Sequence, residues 1–267
     1  MLTAQQVDAA VERLDRAEKT RQQIGLLSLD YPDMTLSDAY GVQAAWVERK
    51  KSSGRQSIGW KIGLTSRAMQ SLLQIDTPDS GVLLDDMVFN NGATIPADRF
   101  IQPRIEAELC FVMAKPLKGP RVTVFDVLNA TDFVVPALEI LDTRILRQDP
   151  DTHQLRTIID TVSDNAANGG IVTGGRPVSP TEVDLRWAGA IVSRNACVEE
   201  TGLGAGVLNQ PAWGVAWLAN RLAQYGDHIE AGQWVLSGSF IRTIEARHGD
   251  TIAADFGALG SVAVYFE

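Results

Sequence analysis

Apolar residues Val7, Val11, Leu14 and Ala17 recur at the three- and four-residue spacing of one helix face, and the pattern predicts an amphipathic helix over residues 3–24. Thr3 followed by Gln6 forms a capping-box pair at its start. A second helical period covers residues 36–51, with Ala39, Tyr40, Trp46 and Val47 near one face, and stops at Ser52-Ser-Gly54. From Ser57 the period shortens to two. Alternation there predicts strands over 57–64, 105–113, 133–141, 185–193, 234–237 and 261–266, broken by turns rich in Gly, Pro and Asn. Two helices interrupt them, over 124–130 and over 211–225, the latter with Pro211 in its first turn and Gly226 as its stop. Strands and helices do not alternate regularly, which disfavours a doubly wound parallel sheet. The pattern favours an α+β chain with a helical N-terminal domain over 1–56 and a mixed, mainly β domain over 57–267.

Composition narrows the function classes. The 267 residues are 45% hydrophobic and 21% charged, ample for a buried core. No stretch approaches the ~20 apolar residues of a membrane span, and the N-terminus lacks a basic, signal-type start, so a cytoplasmic location and no membrane partner are expected. Net charge is -9, and Lys and Arg form no run longer than Arg49-Lys50-Lys51, so nucleic acid is not an expected partner. The same charge means that an acidic substrate must be held by a metal or by a few placed cations. Cys110 and Cys197 lie far apart in apolar stretches and are expected to be reduced core residues. His153, His228 and His248 fall in loops without zinc-ligand spacing, and Gly202-Leu-Gly-Ala-Gly206 reads as a flexible loop rather than a dinucleotide site.

The candidate chemistry sits on the strands. In the 105–113 segment, Ile105, Ala107, Leu109, Phe111 and Met113 share one face, which leaves Glu106 and Glu108 together on the other. Residues so spaced lie ~7 Å apart, within reach of one ion. Glu139 is a third carboxylate inside an otherwise core-like stretch, where it needs a partner. Three carboxylates with open positions suit Mg²⁺ or Mn²⁺. The plainer alternative is a solvated strand face, with Glu139 paired to Arg104 or Arg144. Lys61 lies opposite the apolar face of Ile58, Trp60 and Ile62, flanked by Gly59 and Gly63, which leaves room beside its ammonium for a ligand; an exposed lysine between two bulges fits the same pattern. Thr77-Pro-Asp-Ser-Gly81, Ser163-Asp-Asn-Ala-Ala-Asn168 and Leu236-Ser-Gly-Ser-Phe240 have the hydroxyls and amides of a polar ligand site, and equally of plain turns.

Taken together, Gly59-Trp-Lys-Ile-Gly-Leu-Thr-Ser66, Pro78-Asp-Ser-Gly-Val-Leu83, Gln102-Pro-Arg-Ile-Glu-Ala-Glu108, Val135-Pro-Ala-Leu-Glu139 and Asp164-Asn-Ala-Ala-Asn168 resemble the hydratase and decarboxylase branch of the fumarylacetoacetate hydrolase superfamily, nearly end to end. The resemblance implies a barrel-like β body, a homo-oligomer, association with a decarboxylase, and Mg²⁺ at Glu106, Glu108 and Glu139 with Lys61 facing a small 2-oxo acid. Leu29-Asp-Tyr-Pro32, Lys115-Pro-Leu-Lys-Gly-Pro120 and Gly238-Ser-Phe240 most resemble branch members that hydrate a seven-carbon 2-oxo dicarboxylate. On that basis Asp79 is the candidate for proton transfer, and Ser163, Asn165 and Ser239 are candidate hydrogen-bonding partners. Arg67 and Arg242 are the candidates for the substrate's distal carboxylate. Trp60 departs from the His expected in near relatives. A five-carbon dienoate hydratase, a decarboxylase and a catalytically silent scaffold subunit remain open alternatives.

Overall fold

Thr3 caps α1 (Ala4–Thr20) as expected: its hydroxyl accepts from Gln6 N at 3.3 Å, while the Gln6 side chain accepts from Thr3 N at 2.8 Å. After the single turn α2 (Leu27–Asp30), Thr35 and Asp38 repeat the device at α3 (Leu36–Ser52). The structure, a computed structural model, describes residues 1–67, 70–71 and 77–267. Ala10, Val11 and Leu14 of α1 pack with Ala39, Val42 and Trp46 of α3, and this core also takes in Ile145 and Val162. Ile24 forms a parallel bridge to Ile145. Residues 1–56 therefore bury their apolar faces partly against a segment from far along the chain, which local periodicity could not indicate.

In chain order the strands are β1 (Ser57–Gly63), β2 (Asp79–Leu84), β3 (Val88–Phe89), β4 (Ala93–Ile95), β5 (Arg104–Met113), β6 (Thr131–Leu141), β7 (Asn168–Thr173), β8 (Gly189–Arg194), β9 (Cys197–Leu203), β10 (Trp234–Leu236), β11 (Ile244–Glu245), β12 (Thr251–Asp255) and β13 (Ser261–Phe266). The larger sheet runs β2-β1-β10-β5-β6-β7-β3, with β11 also paired to β5, and the smaller runs β4-β13-β12-β8-β9. The helices α4 (Val124–Ala130), α5 (Ile158–Ser163) and α6 (Pro211–Leu222) complete a mixed α+β architecture.

The main core lies between the two sheets and α6. Ile105, Ala107, Leu109, Phe111 and Met113 of β5 enter it as the alternation predicts, and Val192, Ile252, Val264 and Leu218 are among the side chains they join. Each of these side chains larger than alanine contributes roughly 1.5–3 kcal/mol when fully buried. The opposite face of the large sheet carries a second cluster of Cys110, Val135, Ala137, Ile171 and Leu236. Among the described residues no helix is long and apolar enough to cross a membrane.

Several expectations change. The strand expected from 185 begins only at Gly189, because Trp187 N donates to Asp184 O in a turn. Helical geometry from Pro211 ends at Leu222 and tightens into a 3-10 turn before Gly226, whose φ of 73° supplies the stop. The segments containing Asp79 and Asn168, whose composition fits a polar ligand site and a plain turn equally, supply β2 and β7. Cys197 is exposed on β9, an edge strand, rather than in the core. Gly202 is not in a free loop either: it belongs to β9, and a methyl group there would sit 2.0 Å from Phe240 O.

Candidate active site

Antiparallel pairing of β5 with β6 sets Glu106 opposite Glu139 and Glu108 opposite Ala137, so the three glutamates share one sheet face. Their carboxylate oxygens lie within 4.8 Å of one another, with Glu108 and Glu139 fully buried. On the other side of β5 come β10 and then β1, which places Lys61 level with Leu236 and Cys110. Its Nζ stands 3.3 Å from Glu139 Oε1 in an ion pair and donates to Ala166 O at 3.1 Å. Glu139 therefore pairs with Lys61 and not with Arg144, whose Nε binds Asp164 Oδ1 at 2.5 Å.

Asp79 on β2 is paired with Gly63 and is buried. The two glycines flanking Lys61 have different roles. A methyl group on Gly59 would lie 1.9 Å from Trp234 O, so that glycine permits close strand approach. On Gly63 it would lie 2.2 Å from Asp79 Oδ1 and 3.1 Å from Lys61 Nζ, so that glycine makes room for the two charged groups.

Electrostatics mark this cluster as incomplete. Burial, then repulsion by Glu139, pushes Glu106 up to about 8 despite the opposing Lys61. Burial followed by Glu139 and Glu106 raises Glu108 well above the carboxylate range, and burial raises Glu139 and Asp79 against the pull of Lys61. Burial disfavours the Lys61 charge, but Glu139 leads the surrounding carboxylates in outweighing it and holds the ammonium above the ordinary lysine value. Gly238 N donates to Glu108 Oε2 at 2.8 Å, whereas Glu108 Oε1 and Glu139 Oε2 accept no hydrogen bond among the described residues. Three facing carboxylates, one ammonium and buried oxygens without donors fit a hard divalent cation.

Lys61, Asp79 and Glu106 line a cavity of about 250 Å³. Ser239 lines it as well, although its hydroxyl donates to Ile241 O at 2.9 Å. Asn165 does not line it. Its amide clamps Val82 through N at 2.8 Å and O at 2.9 Å, and this holds Asn165, Ala166 and Ala167 at φ of 50°, 53° and 57°. For the two alanines this left-handed geometry costs roughly 1–2 kcal/mol each, and the turn presents Ala166 O to Lys61. Ser163 is buried outside the lining, and its hydroxyl has no hydrogen-bond partner among the described residues.

The structure does not bring the expected distal cations to the cavity. Arg67 is exposed, and Arg242 is exposed and paired with Glu200 at 2.6 Å. Arg104, Arg147, Arg156 and Thr161 line it instead. Only Arg104 carried a signal, because it shares the strand face of Glu106 and Glu108. Trp60 points to the opposite face from Lys61, donates through Nε1 to Gln233 Oε1 at 3.1 Å and is not among the residues that line this cavity.

No family model matches the chain. The chain is 58% identical over 255 residues to 2-oxo-hept-4-ene-1,7-dioate hydratase of Escherichia coli, with 96% of each protein covered. It belongs to the hydratase and decarboxylase branch of the fumarylacetoacetate hydrolase superfamily. Other members of that branch include 4-oxalocrotonate decarboxylase of Pseudomonas sp. (strain CF600), 38% identical over 99% of this chain and 98% of the relative, and 2-keto-4-pentenoate hydratase of Paraburkholderia xenovorans (strain LB400), 38% identical over 100% and 97%. The branch fold is also that of the solved 4-oxalocrotonate decarboxylase from Pseudomonas putida G7 complexed with magnesium and adipate: TM-score 0.94, 38% identity, 100% of this chain and 99% of that one covered.

Proposed function

We propose that the protein is a Mg²⁺- or Mn²⁺-dependent hydro-lyase that adds water to 2-oxo-hept-4-ene-1,7-dioate and yields 4-hydroxy-2-oxoheptane-1,7-dioate. The observation that carries this reading is the cluster of half-buried Glu106 with buried Glu108 and Glu139, with Lys61 paired to Glu139 and with Lys61, Asp79 and Glu106 lining one cavity. The relative with 58% identity supports the hydratase and its seven-carbon substrate, and the relative complexed with magnesium and adipate supports both the ion and a dicarboxylate. Residues 1–56 act as a helical unit seated on the β body. The exposed Trp187, Ile191 and Leu203, grouped around one depression, support a homo-oligomer, tested by sedimentation. A cytoplasmic location and an association with a decarboxylase belong to the same reading.

Glu106, Glu108 and Glu139 hold the ion, which when bound supplies Lewis acidity toward the 2-oxo acid end of the substrate. Lys61 remains an ammonium and stabilises the negative charge that develops when a C3 proton is lost and the dienolate forms. Asp79, buried beside Lys61 with an oxygen that has no hydrogen bond among the described residues, takes up the proton. Return of that proton at C5 leaves a C3=C4 enone. Water then adds its hydroxyl at C4, and C3 takes up the remaining proton, so the net change is one water across the former C4=C5 bond. Ser239 orients groups from the cavity wall.

Purified protein assayed with Mg²⁺ and a panel of 2-oxo-enoates, with products identified, tests the reading. The expected result is hydration of the seven-carbon dioate with Mg²⁺ and none without metal. Release of CO₂ instead supports a decarboxylase. Efficient turnover of 2-hydroxypenta-2,4-dienoate would leave only the branch-level assignment, and absence of any turnover would favour the scaffold role.

A further inference from the structure

The carboxylates and Lys61 leave one part of the cavity wall without a task. Arg104, Arg147 and Arg156 line the same cavity as Lys61, Asp79 and Glu106. Arg104 opens β5 two residues before Glu106 and on its face. Arg147 and Arg156 are brought side by side by a hairpin, in which Arg156 N donates to Arg147 O at 3.0 Å and Gln148 and Leu155 form an antiparallel bridge. Arg147 Nε and Nη2 and Arg156 Nη1 are buried, and none donates a hydrogen bond among the described residues.

Such an arrangement is costly unless an anion shares the cavity. A buried guanidinium donor without an acceptor loses its hydration with no return, and two guanidiniums held together repel. Burial, then Arg156 and Arg104, pulls Arg147 down to about 10. Burial likewise lowers Arg156, although Asp164, Asp160 and Asp79 favour its charge. In a chain of net charge -9, three cations converging on one small cavity form a local exception to the overall field.

We propose that Arg147 and Arg156, with Arg104 beside them, seat the second carboxylate of a dicarboxylate substrate whose 2-oxo acid end lies at Glu106, Glu108 and Glu139. The proposal rests on the 2-oxo acid reading above and assigns the residues that select a dicarboxylate over a monocarboxylate. The guanidinium fork matches a carboxylate with two parallel hydrogen bonds, and the donors that now lack acceptors become satisfied only when an anion with a planar pair of oxygens enters. A ligand ending in a methyl or vinyl group leaves those donors unpaired, and this penalty is what gives strong discrimination.

The test measures binding of 2-oxoheptanedioate and 2-oxoheptanoate by calorimetry in the presence of Mg²⁺; neither has the double bond needed for hydration. Wild type, Arg147→Gln, Arg156→Gln and Arg147→Lys are compared, and Mg²⁺ affinity is measured for each. Wild type should prefer the dioate, and each Gln variant should lose about ten- to hundred-fold for the dioate but less than about three-fold for the monocarboxylate, with Mg²⁺ affinity unchanged. Arg147→Lys keeps the charge without the fork and should fall between; it carries the test if a Gln variant does not fold. Equal losses for both ligands, or none for the dioate, overturn the seat. A wild type that prefers the dioate yet hydrates no 2-oxo-enoate overturns the reaction and leaves the seat standing, whereas hydration without any preference does the reverse.

Discussion

Two groups of like charge meet at one cavity, which Glu106 lines for the acidic group and Arg147 and Arg156 for the basic one, and they are built differently. Glu106, Glu108 and Glu139 stand on β5 and β6, neighbouring strands inside the larger sheet with partners on both sides, and Lys61 is set among them. Arg147 and Arg156 stand on a hairpin between β6 and α5 with no described acceptor for several of their donors. The acidic group is therefore rigid and already partly compensated, as a small ion demanding fixed ligand geometry requires. The basic group rests on a loop, where small adjustments can follow a flexible ligand. In both, buried charge without a full set of partners identifies the missing component by its sign.

That contrast can be broken most severely at the acidic end. Glu108→Ala should weaken Mg²⁺ binding in calorimetry well beyond the ~10²-fold that loss of an outer-shell group causes, while circular dichroism stays native. An unchanged affinity would remove the metal site. Next in size, Lys61→Met keeps the stem and removes the charge, so kcat on the dioate should fall by at least ~10²-fold. Near wild-type turnover would return Lys61 to a structural role.

Acidity offers a third, smaller effect. Glu106 is raised from about 4.5 in the unfolded chain to about 8 in the metal-free fold by burial and by Glu139. The fold thus binds more protons than the unfolded chain between these values, so its contribution is fully present below the lower one and is lost as pH rises through the upper. The melting temperature of metal-free protein should drop by about 5 °C between pH 5 and pH 8, and Mg²⁺ should flatten that slope. A flat profile without metal would mean that the carboxylates find another compensation. Smallest is the effect at the basic end. Arg156→Gln relieves repulsion from Arg147, so the melting temperature without substrate should rise by about 1–2 °C rather than fall.

Much of this was legible in the sequence because it is local. Period two over residues 105–113 put Glu106 and Glu108 on the face opposite the core, and Thr3 with Gln6 marked the start of α1. A lone Glu139 within an apolar run announced that it needed a partner, and the structure supplies Lys61. The motifs around these residues were sufficient for the family. Tertiary structure alone decided the rest. Strand order and register set Glu139 opposite Glu106 and brought Lys61 across β10 to it. The same non-local pairing made Asp79 and Asn168, in segments whose composition fits turns equally, members of β2 and β7, and used the Asn165 amide to clamp Val82 rather than to line the cavity. It also left Arg67 and Arg242 at the surface and drew Arg147 and Arg156 inward. Side-chain period and capping depend on neighbours a few bonds away and so are written along the chain. Which arginine enters a cavity depends on how distant segments pair and close, a choice made by the energy of the whole fold.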